Sequence, residues 1–187
     1  CHEFTDAIAL REQGAYPYFI PLDKNEGTEV IYEGRRIIMC GSNNYLGLTT
    51  HPKVRQAAIN AIAEYGTSCT GSRFLNGNMT MIEDLEKELA AWVGKEAALI
   101  FSTGMQTNLG TISALVGKDD IIIMDKEDHA SIVDGAFLSG GKIERFRHND
   151  MDHLERVLKS LPEEKGKLLV VDGLFSMEGD IAPLPRM

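Results

Sequence analysis

The chain has 187 residues, 43% of them hydrophobic and 25% charged, with a net charge of −9. That length supports one sizeable core with a small appendage, and the acidic balance offers nucleic acid no electrostatic footprint. No apolar run is long enough for a bilayer span and no secretory signal opens the chain, while Cys1, Cys40 and Cys69 are too sparse for a disulfide framework, so a reducing cytoplasmic setting is expected.

Residues 3–14 read as a short helix ended by Gly14. Val30–Tyr32 and Arg36–Cys40 are β-prone runs around Gly34, the pattern of a hairpin. Pro52 then opens a helix at the favoured first position, with Val54, Ala58, Ala61, Ile62 and Tyr65 on one face and Gly66 at its end. Residues 67–78 are small, polar and glycine-rich, hence a loop. Thr80 and Glu83 have the spacing of a capping box, and Ile82, Leu85, Leu89 and Trp92 continue as a stripe up to Gly94.

From there strands and helices alternate. Strands are expected at 98–101, 121–124, 143–146 and 168–171, and helices at 105–116 and 130–138. A further helix is capped by Asp150, with Leu154, Val157, Leu158 and Leu161 inward. This alternation predicts an α/β fold with a mostly parallel sheet. The expected division is an N-terminal segment at 1–50 and an α/β domain at 51–187. Both chain ends, Cys1 and Met187 behind the turn-like stretch 181–185, are expected to be cuts in a longer protein. Apolar faces left open at such cuts are the corresponding expectation.

Ligands of such sheets bind beyond the carboxyl ends of the strands, so the loops there are the candidates. Ser102-Thr103-Gly104-Met105 runs from the first expected strand into a helix, where free backbone N–H groups and the helix dipole suit a phosphate. The same turn also reads as an ordinary strand-to-helix connection capped by Ser or Thr. His129 stands where the next helix begins, placed either to stack on a planar ligand or simply to fill the cap region. Ser176, Glu178 and Asp180 follow the last strand. Ser176 suits a ligand hydroxyl, and the carboxylates serve either as an acid–base pair or, by preference, as acceptors for turn N–H groups. Asn43 and Arg73 sit in two earlier polar loops, and Arg73 reads as an anion contact or a surface ion pair. His148 and His153 lack a nearby third ligand, so no metal site is expected.

Six stretches occur in order between Gly41 and Asp180: G-S-N-N-Y-L-G-L, G-S-R-F-L-N-G, F-S-T-G-M-Q-T-N, D-H-A-S-I-V-D-G, R-H-N-D-M and D-G-L-F-S-M-E-G-D. Together they resemble the α-oxoamine synthases, fold-type I pyridoxal-phosphate enzymes. The loop Y-G-T-S-C-T-G-S-R-F-L-N-G resembles most the bacterial serine palmitoyltransferase branch, which condenses L-serine with a long-chain acyl-CoA and releases carbon dioxide to leave a 3-ketosphinganine-like α-oxoamine. The 8-amino-7-oxononanoate synthase and glycine C-acetyltransferase branches resemble that loop less.

The resemblance implies a truncated fold-type I large domain, pyridoxal 5′-phosphate as cofactor and a homodimer with active sites at the subunit interface. It implies that Gly104 and Met105 cradle the phosphate by their backbone. His129 would stack on the pyridine ring and hold the amino-acid carboxylate, Ser176 would contact the cofactor, and Asn43 would lie near the substrate. A departure is Ile82, where the family carries a histidine. The cofactor's lysine and the acid that pairs with its ring nitrogen are expected beyond Met187, so the 187-residue chain alone is expected to be inactive. Two readings of other kinds are a non-catalytic dimerising subunit and a plain nucleotide-binding module; S-T-G-M-Q is not the glycine fingerprint that the second needs.

Overall fold

The structure, a computed structural model, describes residues 5–187, apart from the side chains of residues 25 and 26. It divides into two compact units, Cys1–Gly77 and Asn78–Met187. The helix opened by Pro52 lies in the first of these units.

In the first unit, helix α1 spans Asp6–Glu12, inside the expected 3–14; Gly14 beyond it takes φ +67°, and the first four residues, Cys1 among them, lie outside the described region. Strands β1 (Lys24–Glu26), β2 (Glu29–Tyr32) and β3 (Arg35–Ile38) form an antiparallel meander. The expected hairpin is β2–β3. Its two-residue turn, Glu33-Gly34, has positive φ at both positions, which matches the right-handed twist of the flanking strands. Strand β1 was not expected; Lys24-Asn25-Glu26 has no apolar residue to mark it.

Helix α2 (Pro52–Tyr65) begins with Pro52 behind the N-cap His51, whose ring accepts the Lys53 N–H at 3.2 Å. Its apolar stripe exists by spacing but is not covered: none of its residues is buried, and Val54, Ile62 and Tyr65 are exposed. Val30 is the one buried hydrophobic side chain among the described residues of this unit. Cys40 and Cys69 are free and exposed.

The second unit opens with α3 (Thr80–Val93), ended by Gly94 in the left-handed conformation. The expected capping box is absent. Met79 takes the extended cap conformation, so Thr80 is already the first helical residue and its hydroxyl cannot serve as the cap. Glu83 instead accepts the Asn78 side-chain amide at 2.7 Å. The expected strand at 98–101 also does not form. Among the described residues no strand pairs with it, and its Ile100 N–H is taken by the Glu86 carboxylate at 2.8 Å.

The remaining elements follow the expected alternation: α4 (Gly104–Leu115), β4 (Ile121–Asp125), α5 (Ala130–Ser139), β5 (Lys142–Phe146), α6 (Met151–Ser160) and β6 (Lys167–Val170). The strands are parallel in the order β5-β4-β6. Central β4 is buried along its whole length, which explains its unbroken apolar run. Alternate β4 residues face opposite layers. Ile122 and Met124 pack with Ile112, Val116, Ile132 and Ala136 of the α4–α5 layer. Ile121 and Ile123 pack with Phe146, Met151, Leu154 and Leu161 on the α6 side. Each such buried aliphatic side chain stabilises the fold by about 1.5–3 kcal/mol. Helices α4 and α5 approach closely because residue 135 is glycine: a Cβ there would lie 3.0 Å from the Asn108 carbonyl oxygen. All three strands thus deliver their carboxyl ends to one edge.

Candidate functional site

Strand β4 ends in Asp125, which is fully buried and ionisable. Its carboxylate is satisfied from three directions. Oδ1 accepts the Glu127 N–H at 2.9 Å and faces His148 Nδ1 at 2.9 Å, while Oδ2 accepts the Asn149 N–H at 2.9 Å. Asn149 reaches this position in the left-handed conformation (φ 51°), which asparagine tolerates better than most residues.

Asp128, 7% exposed, joins the ends of β4 and β6. Its Oδ2 accepts the Asp125 N–H at 2.8 Å and its Oδ1 the Asp172 N–H at 2.9 Å. Burial pushes its carboxyl up to about 6, against the opposing pull of those two N–H bonds. Asp172 in turn accepts the His129 N–H at 2.8 Å. The backbone at the front of α5 is therefore tied to both strand ends.

His129 is the N-cap of α5; its Nδ1 accepts the Ser131 N–H at 3.1 Å and lies 2.7 Å from Ser131 Oγ. The side-chain amide of Asn108 in α4 donates to the same Ser131 oxygen at 2.8 Å. This bond brings the opening turns of α4 and α5 together. At the front of α4, Thr103 is the N-cap and accepts the Gln106 N–H at 3.1 Å. The N–H groups of Gly104 and Met105 belong to the first turn, where no intrahelical acceptor exists. Residues 102–107 are exposed, and apart from chain neighbours nothing lies within 4 Å of where a Cβ on Gly104 would stand, so this helix start is open to solvent.

Ser176 is exposed on the loop between Asp172 and Ala182. That loop folds back on itself through Phe175 N–H to Asp180 O (2.9 Å), Gly179 N–H to Phe175 O (2.8 Å) and a bridge between Leu174 and Ile181. It is fastened to the sheet by His148, whose Nε2 lies 3.0 Å from Asp180 Oδ2 and whose ring meets buried Phe175 edge-on at 4.5 Å. The Asn149 side-chain amide adds a second bond to Asp180 at 3.0 Å. The hydrogen bond with Asp125 is the main reason that the His148 imidazole gains a proton more easily than usual; partial burial opposes this, and Asp180 supports it.

The sequence reading expected Asp180 to serve turn N–H groups or an acid–base pair. Its side chain serves His148 and Asn149 instead, because the loop turns Asp180 toward the end of β5. His153 accepts the Arg147 N–H at 2.9 Å, and Asp150 caps α6 as expected, held below the usual carboxylate range by the His153 N–H and then by Arg147.

Asn43 and Arg73 lie in the first unit. Asn43 is exposed and lines an open hollow of about 650 Å³ with Ser42, Tyr45, Leu46 and Leu48. Arg73 is partly buried in a tight loop where the Ser72 carbonyl accepts the N–H groups of Leu75, Asn76 and Gly77. A Cβ on Gly77 would strike the Gly71 carbonyl, so this glycine of G-S-R-F-L-N-G is required by close approach of backbone, whereas a Cβ on Gly71 would meet only the Asn76 side chain.

Residues 35–187 match the family described as aminotransferase class I and II. A serine palmitoyltransferase of Sphingobacterium spiritivorum is 52% identical over 184 residues, covering 98% of this chain and 46% of the relative. An 8-amino-7-oxononanoate synthase of Geobacter sulfurreducens is 46% identical over 178 residues, covering 95% of this chain and 46% of the relative. Among solved structures, a serine palmitoyltransferase from S. paucimobilis with a bound PLP–myriocin aldimine aligns with a TM-score of 0.94 at 39% identity, covering 98% of this chain and 46% of that one. The chain spans about half the length of the curated relatives it matches. Over its length it has the fold-type I architecture expected from the sequence.

Proposed function

Because the chain belongs to the class I and II aminotransferase family, we propose that it is part of a pyridoxal 5′-phosphate-dependent acyltransferase that condenses L-serine with a long-chain acyl-CoA. The observation that carries this reading is one sheet edge bearing both a helix start open to an anion and an imidazole fixed by its neighbours.

The residues present fit the cofactor. The first-turn residues of α4 are exposed, their amides lack intrahelical acceptors, and the helix dipole adds to their attraction for a phosphate. When bound, the cofactor supplies an electron sink for negative charge at the amino acid's α-carbon. Gly104 and Met105 would hold the phosphate through backbone N–H groups, and Ser176 would donate its hydroxyl to the cofactor. His129 would cover the ring and hold the amino-acid carboxylate, fixing which bond at the α-carbon can break. Asn43 is assigned to substrate on the resemblance, and Arg73 on the capacity of its guanidinium to hold an anion.

Residues 51–187 contribute in this reading to the cofactor-binding domain, and the working protein is a cytoplasmic homodimer. Among the described residues no helix is long and apolar enough to cross a membrane. The 46% identity to an 8-amino-7-oxononanoate synthase supports one alternative within the family, a different amino acid or a shorter acyl chain.

The test is made on the full-length parent protein. Purified with pyridoxal 5′-phosphate, it should show the visible absorbance of a covalently attached cofactor, and His129→Ala should sharply lower condensation of serine with palmitoyl-CoA. Absence of that absorbance, or wild-type turnover in the variant, would overturn the assignment. Equal or better turnover with alanine and a shorter acyl-CoA would select the alternative.

A further inference from the structure

The proposed role of His129 leaves open which ring nitrogen carries its proton. The neighbours of the ring decide this. A backbone N–H can only donate, and the Ser131 N–H points at His129 Nδ1 from 3.1 Å. That contact favours a lone pair on Nδ1, with the proton of the neutral ring on Nε2.

A second contact acts in the same sense. Ser131 is buried, and its oxygen accepts the Asn108 amide at 2.8 Å. With a lone pair so occupied, the hydroxyl hydrogen is free to turn toward Nδ1, 2.7 Å away. The donors run in one direction, from Asn108 to Ser131 to His129. Protonating Nδ1 would set a ring N–H against the Ser131 backbone N–H, so the arrangement resists the other tautomer.

We propose that Asn108 and Ser131 are positioning residues that hold His129 as the Nε2–H tautomer, so that the ring offers a hydrogen-bond donor, not a base, to an anionic group. This rests on the reading that His129 meets the amino-acid carboxylate, an acceptor-only partner when ionised. Nε2–H then matches the carboxylate, while the proton leaving the α-carbon must go to a group other than this ring. Neither Asn108 nor Ser131 need touch the substrate.

The tautomer is read directly by nitrogen NMR of full-length protein labelled with ¹⁵N-histidine, with the His129 signals identified by their loss in His129→Gln. The expected wild-type pattern is a protonated Nε2 and a bare Nδ1 near pH 7.5. Asn108→Asp replaces the donor by an acceptor, which draws the Ser131 hydrogen away from the ring. It should move His129 toward Nδ1 protonation and raise the KM for serine about tenfold, as expected for one weakened charge-assisted bond. Ser131→Ala should give a mixture of tautomers, and Ser131→Thr, which keeps the hydroxyl, should restore the wild-type pattern.

A wild-type ring protonated on Nδ1 would overturn the inference without any variant. So would an unchanged tautomer in folded Asn108→Asp and Ser131→Ala proteins. These outcomes are separable from failure of the functional reading. Loss of cofactor absorbance with the expected tautomer would sink the function alone. Normal absorbance and a His129-dependent reaction with the wrong tautomer would sink the inference alone.

Discussion

The loops of the first unit and the sheet edge of the second use similar residues, glycine, serine, asparagine and aspartate, but bond them in different ways. Beside Asn43 and in the backbone of the 72–77 loop the bonds are local: the Asn44 N–H reaches Ser42 Oγ two residues back, and the Ser72 carbonyl serves residues 75–77. At the sheet edge the bonds join distant parts of the sequence. Asp128 pairs with Asp172, His129 with Asp172, His148 with Asp125 and Asp180, and Asn108 with Ser131. Local bonding shapes a loop; long-range bonding makes its position part of the core. The edge should therefore register substitutions as stability, and the first-unit loops should register them mainly as binding.

The largest effect is expected at Asp125. Removing this fully buried carboxylate by Asp125→Ala strands three donors at once and should destabilise the full-length protein by about 3–5 kcal/mol in urea denaturation. A loss below about 1 kcal/mol would erase the contrast between the two regions. Next is Asp128→Asn, which keeps one acceptor and turns an NH₂ toward a backbone N–H; it should cost about 1–3 kcal/mol.

The pH dependence sharpens the picture further. Both Asp128 and His148 have raised values in the folded state, so each binds its proton more tightly there than in the unfolded chain. Their contributions are lost as pH rises: for Asp128 between an unfolded value of about 4 and its folded value of about 6, and for His148 from about 6.5 upward through its higher folded value. The stability gap between wild type and His148→Gln should accordingly be widest near pH 6 and shrink as the pH is raised. A gap that widens with pH would show that the ring works as a neutral bridge. The smallest expected effect on folding is Asn43→Ala, within about 0.5 kcal/mol of wild type in the same denaturation, since the side chain is exposed. If the substrate assignment holds, that variant nevertheless raises the KM for serine.

Much of this architecture is legible in the residues. The unbroken Ile121–Met124 run announces a strand buried on both faces, and Asp150 with Leu154, Val157 and Leu158 announces a capped amphipathic helix. Two local signals mislead. Thr80 and Glu83 have capping-box spacing, but Met79 already occupies the cap conformation. Ala98–Phe101 has strand composition, but a strand exists only by pairing, and composition does not report a partner.

The site is legible in part. His129 and the Gly104 turn stand out because each adjoins a helix start, which the sequence displays. Asp125, Asp128, Asn108 and Ser131 do not, because their partners lie up to 44 residues away. The one available hint was a charged residue, Asp125, directly ending a wholly apolar run, a place where a carboxylate needs several donors.

The close crossing at Gly135 gives Asn108 two jobs. Its carbonyl oxygen is the floor on which α5 rests, and its amide is the hand that reaches Ser131. A methyl wedge at residue 135 would lift the helix from that floor and stretch the reach, loosening the imidazole nearly two turns away at the start of the same helix. The missing side chain of one glycine thus sets the tolerance to which a ring nitrogen is aimed.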